Sequence, residues 1–70
     1  MKENSYKIVQ YLQEHNGATA KEVSTALGID KRFVDSYFSA AVVKNGLGAR
    51  DTSVTPSRLV LNDEGLSYTQ

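Results

Sequence analysis

Apolar residues recur at helical spacing as far as Gly46 and alternate with polar ones beyond it, a pattern that predicts helices first and a β-hairpin afterwards. Ile8, Val9, Tyr11 and Leu12 form one apolar side of a first helix over residues 5–15, with Asn4 or Ser5 as its cap. His15 and Asn16 close that helix and Gly17 breaks it. Thr19 and Glu22 have the spacing of a capping box, so a second helix starts at about Ala20. Val23 and Leu27, flanked by Ala20 and Ala26, give it a narrow inward stripe, while Lys21, Ser24 and Thr25 face out. Gly28 permits a left-handed stop, Ile29 plugs the turn, and Asp30 caps the next helix.

Stepping about 100° per residue from Val34 puts Phe38, Ala41 and Val42 on the buried face of this third helix, with Tyr37 at the boundary. Arg32, Ser36, Ser39, Ala40 and Val43 then face outward, and Gly46 ends the helix. In the hairpin that follows, Leu59 and Leu61 should face the helices while Arg58 and Val60 look outward. On its first strand the pattern predicts Leu47 and Ala49 inward and Arg50 exposed. Pro56 cannot donate to a strand ladder and belongs at the tip or an edge. Asn62 or Asp63 is expected to cap a final turn over residues 63–68, from which Leu66 packs back.

Seventy residues make one small domain over 1–70, near the size where stability is marginal. With no cysteine, neither a disulfide framework nor a thiolate metal site is available. The start MKENSYK has no apolar run of the kind a secretory signal needs, and no stretch is apolar over the length of a membrane span, so a cytoplasmic protein is the simplest expectation.

Eight basic and eight acidic side chains cancel, which argues against a protein that holds nucleic acid by bulk charge alone. Their distribution is uneven. Lys21, Lys31, Arg32, Lys44, Arg50 and Arg58 lie between Asn16 and Arg58 against Glu22, Asp30, Asp35 and Asp51, so the middle of the chain is basic and the ends acidic. No enzyme constellation is visible: the single histidine has no recognisable partner, and neither a phosphate-cradling nor a dinucleotide-binding glycine motif is present. No metal site and no cofactor is expected.

Three helices followed by a two-stranded hairpin resemble the winged helix-turn-helix family, an α+β fold. The resemblance rests on T-x-K-E-V-x-x-A-L-G-I from Thr19, Val34 with Phe38, K-N-G-L from Lys44 and L-V-L-N-D-E-G-L from Leu59. It implies sequence-specific binding of double-stranded DNA by a small transcriptional regulator. The recognition helix, about 31–45, would lie in the major groove and the wing, about 47–62, on the flanking backbone. Carried over by position, Lys31, Arg32, Ser36 and Ser39 become groove contacts, Arg50 and Arg58 wing contacts, and Thr19 and Lys21 lie near phosphate.

This reading head is thin, since Ala40 and Val43 are apolar and Asp35 repels phosphate unless it accepts from a cytosine amine. If about four phosphates are neutralised, the salt slope is only about −3.6 and one copy binds weakly. A homodimer is the usual remedy. Phe33, Val43, Tyr6, Tyr11 and Tyr68 are not all accommodated in so small a core: they either pack within the hairpin and terminal segments or form a self-association surface made by the first helix and the C-terminal tail. The rival reading is a winged helix that binds protein instead of DNA, as an adaptor or inhibitor, which neutral charge and a bland outward face favour.

Overall fold

The computed structural model describes all of residues 1–70. Its elements run α1 (Glu3–Glu14), α2 (Ala20–Leu27), α3 (Lys31–Tyr37), a π-helical continuation of α3 (Phe38–Val43), β1 (Gly48–Asp51), β2 (Arg58–Leu61) and a one-turn α4 (Asp63–Leu66). This is an α+β domain in which β1 and β2 form an antiparallel hairpin after the main helices.

Local hydrogen bonds explain the middle of the chain. The Thr19 N–H donates to Glu22 Oε1 at 3.0 Å while the Glu22 N–H donates to Thr19 Oγ1 at 3.2 Å, a reciprocal box that starts α2. At its other end Gly28 takes φ 67°, a backbone that a side chain would strain. The Ser24 hydroxyl, donating to the Ile29 carbonyl, closes the turn. Asp30 Oδ1 accepts from the Arg32 N–H at 2.8 Å and caps α3.

Two helix boundaries differ from expectation. α1 begins at Glu3 after an uncapped Lys2, and Ser5 is buried in the second half of the first turn instead of capping it. Beyond Tyr37 the third helix widens: Lys44 N–H donates to Ser39 O at 3.3 Å and Leu47 N–H to Val42 O at 2.9 Å, five residues back in each case. Phe38 and Val42 stay fully buried and Ala41 half-buried through this widening, so the inward face survives it.

Ile8, Val9 and Leu12 of α1 meet Val23 of α2, Val34, Phe38 and Val42 of the third helix, and Leu59 and Leu61 of β2 in one apolar core. The hairpin covers that core with a phase opposite to the expected one on β1. Register pairs Gly48 with Leu61 and Arg50 with Leu59, so Gly48 and Arg50 share the helix-facing side of the sheet and Ala49 is exposed. Leu47 is buried, as the pattern predicted, but it precedes the strand.

The free edge of β2 is also paired. Gly17 N–H donates to Leu59 O at 3.0 Å, Leu59 N–H to Ala18 O at 2.8 Å, and Asn16 Oδ1 accepts from the Leu61 N–H at 2.7 Å. The loop after α1 thus acts as a short third strand, which closes an edge that is otherwise open to other chains.

Asn62 caps α4 by accepting from the Gly65 N–H at 2.9 Å. Leu66 does not pack back but stands 43% exposed; Gly65 is the buried residue of this turn. A Cβ there would run into the Leu47 carbonyl oxygen and lie 3.0 Å from Leu61 Cβ. Gly65→Ala is accordingly expected to destabilise the domain by about 1–3 kcal/mol, read as a lower urea midpoint with unchanged slope.

The tyrosines set aside for self-association have partners within the chain. Tyr6 and Tyr68 meet edge to face at 6.0 Å, Tyr11 lies against His15 at 4.6 Å, and all three tyrosines pack on the core. Gln13 ties the tail down by donating to the carbonyls of Gly65 and Tyr68. The large apolar residues left exposed are Phe33, Val43, Val54 and Leu66.

Candidate nucleic-acid interface

The capped starts of α2 and α3 and the helix-facing side of the hairpin converge on one cleft of about 200 Å³. Four of the eight expected contact residues line it: Thr19 and Lys21 from α2's cap and first turn, Lys31 from the start of α3, and Arg50 from β1. Pro56 and Ser57, neither of them among the expected contact residues, form its hairpin wall. Lys21 has no carboxylate within ion-pair distance, so its ammonium is free for an anion.

Arg50 is not the exposed wing cation the alternation predicted. Its guanidinium lies 5.2 Å over the Phe38 ring, and Nη2 donates to the Asp35 carbonyl and the Ser39 hydroxyl, each at 3.0 Å. Nη2 also stands 3.5 Å from Asp35 Oδ1. The reason is the strand phase: opposite Leu59, the side chain must cross the helix face, and a long aliphatic stem lets it do so while its charge finds acceptors on α3. Ser39, expected on the outward face, is exposed but already engaged by Arg50.

Asp35 is held from both sides, since Lys31 Nζ donates to its Oδ2 at 3.3 Å. The one acid on the outward side of α3 is therefore neutralised within the protein by two of the expected contact residues.

Arg32 and Ser36 point away from this network. The Arg32 side chain is 88% exposed, and its only partner is Asp30, 3.3 Å from Nε. Ser36 borders a second hollow with Met1, Lys2 and Ser5 at the start of α1. Arg58 lies on the other side of the hairpin, where Nη1 donates to the Gly17 carbonyl at 3.0 Å. The expected set is thus divided into a cleft group, an outer-face pair and a separate arginine.

No protein-family model, curated protein or solved structure matches this chain. No group of three His, Cys, Asp or Glu side chains is placed to hold a metal ion, and no helix is long and apolar enough to cross a membrane.

Electrostatically, three surface carboxylates are stabilised in their charged form. Glu22 is held below its ordinary value by the Thr19 N–H and then its hydroxyl, Asp30 by the Arg32 N–H and then its guanidinium, and Asp51 by the Ser53 hydroxyl and then its N–H. Depressed carboxylates contribute stability above their unfolded values and lose it as pH falls through the folded ones. Thermal stability should therefore stay level at neutral pH and fall below about pH 4.5, the ordinary glutamate value. A triple variant Glu22→Gln, Asp30→Asn, Asp51→Asn should show a shallower acid limb in the same melting series.

Proposed function

We propose that this chain is a sequence-specific double-stranded DNA-binding protein of the winged helix-turn-helix type, acting as a small transcriptional regulator. The start of α3 enters the major groove, and the hairpin lies along the flanking backbone. The observation that carries this reading is the convergence of Thr19, Lys21, Lys31 and Arg50, from three separate elements, on one cleft beside the exposed Arg32. Cations brought together from distant parts of a neutral chain make a local positive patch that its net charge conceals. The patch adjoins a helix start, where side chains reach base edges.

Within this proposal the roles divide by geometry. Arg32 is the base reader, long, exposed and loosely held, while Lys21 and Lys31 take phosphates. Arg58 takes the backbone on the other side of the hairpin. Ser36 supplies a hydroxyl on the outer face. Few contacts per copy mean that two copies on an inverted repeat would reach useful affinity at cellular salt.

Arg32→Ala tests the assignment. It is expected to weaken binding to a preferred duplex by about 1–3 kcal/mol and to relax preference at one base position, as read by fluorescence anisotropy across single-base variants. An Arg32→Ala protein with the wild-type affinity and preference would remove Arg32 from the base-reading role.

A second reading is supported by Phe33, 56% exposed beside Tyr37, and Val43, 43% exposed on the same helix. In that reading the outer face of α3 binds a protein, as an adaptor or inhibitor does. The wild type would then bind no duplex, and Phe33→Ala would abolish capture of the partner.

A further inference from the structure

The acid lining the cleft makes an ordinary i,i+4 pair with Lys31, but helix chemistry does not account for its second cation, Arg50 of β1. Asp35 lies within α3, away from the helix start where a carboxylate gains from the dipole. Its two carboxylate oxygens face two cations from different elements, Oδ2 with Lys31 at 3.3 Å and Oδ1 with Arg50 at 3.5 Å. Two oxygens set between a lysine and an arginine reproduce what a phosphate group presents to such a pair.

Arg50 itself is incompletely satisfied. Nη2 has its acceptors on α3, but Nη1 is shielded from solvent and has no acceptor. A buried donor without a partner is unfavourable, so the packed position of this guanidinium is held by Asp35, Ser39 and the Phe38 ring against that deficit. An anion that draws the guanidinium outward and supplies acceptors to both nitrogens would relieve it.

We infer that Asp35 is an internal competitor for phosphate, a latch that occupies Lys31 and Arg50 in the free protein and yields them when a duplex phosphate enters the cleft. This rests on the reading of the face as a nucleic-acid interface. The latch offsets one of the cleft's three cationic charges, which holds down binding to arbitrary sequence and leaves discrimination to residues outside it, Arg32 above all.

The test compares Asp35→Asn with Asp63→Asn, which makes the same change in net charge at α4, away from the cleft. Binding to a short mixed-sequence duplex and to a heparin oligosaccharide, a polyanion without bases, is followed by anisotropy over a salt series. Relative to Asp63→Asn, Asp35→Asn is expected to bind both polyanions about fivefold more tightly. Its salt slope on the duplex should steepen by about 0.9 per cation freed.

In the wild type, the Arg50 Nε–H resonance should shift on adding heparin, which needs no substitution. An Asp35→Asn protein no tighter than Asp63→Asn on either polyanion, or an Arg50 resonance unmoved by heparin, overturns the latch. Tighter heparin binding by Asp35→Asn, with neither protein binding duplex, supports the latch and rejects the nucleic-acid reading on which it was built.

Discussion

Replacing Phe38 with alanine is expected to bring the domain close to its unfolding midpoint at room temperature. Phe38 is the largest fully buried side chain, and it lies where the third helix begins to widen. Truncating a buried phenylalanine costs about 3–5 kcal/mol through lost transfer energy and the cavity left behind. A chain of this length has roughly 4–10 kcal/mol of stability to lose, by the general per-residue figure. The ring also carries the Arg50 guanidinium 5.2 Å above it, so its removal uncouples β1 from α3 as well as opening the core. Phe38→Leu keeps most of the volume and removes only the aromatic face. It should cost about 1–2 kcal/mol while removing the aromatic face beneath Arg50, whose hydrogen bonds to α3 remain. Urea unfolding of the two variants, followed by circular dichroism, separates the packing role from the cation's support.

A triple substitution of Lys21, Lys31 and Arg32 by alanine should have the largest effect on function. All three side chains are exposed and drawn from the starts of two helices. Lys31 and Arg32 each lose one surface ion pair, and such pairs contribute about 0–1 kcal/mol, so the fold should survive. On a duplex, losing the two phosphate-binding lysines should flatten the salt slope by about 1.8, and losing Arg32 should remove the base preference. Affinity at moderate salt should fall by on the order of a hundredfold or more. Thermal melting close to wild type, alongside lost anisotropy, would assign the loss to the interface.

What could be read directly from the chain was local. Thr19 with Glu22, Gly28 and Asp30 act through hydrogen bonds spanning a few residues, and each behaves as its spacing implied. The inward faces of Val34, Phe38 and Val42 followed from helical periodicity alone. What was missed depends on partners far along the chain. The phase of β1 is set by its register with Leu59 and Leu61, and arginine's polarity suggested the wrong side for Arg50. Ser5 looked like a cap but is buried under the fold, and Asn16 looked like a helix stop but clamps the edge of β2. The widening of the third helix has no signature in FSAAVV.

The candidate site shows the same division. The candidate lysines and arginines were visible in the sequence as polar residues on outward positions. Their grouping was not. Only the fold brings Lys21, Lys31 and Arg50 to one cleft and separates Arg58 from them. Asp35, which sequence reading treated as a repulsive flaw, joins Lys31 to Arg50.

The central claim, that the α3 face and the cleft beside it bind double-stranded DNA, is tested most directly by selection from a random duplex library at moderate salt. The Lys21, Lys31, Arg32 triple-alanine protein is carried in parallel. The wild type is expected to enrich a defined motif, present as an inverted repeat if two copies act together, and the triple variant to enrich none. A wild-type protein that enriches no motif, or one whose enriched motif survives the triple substitution, would contradict the claim.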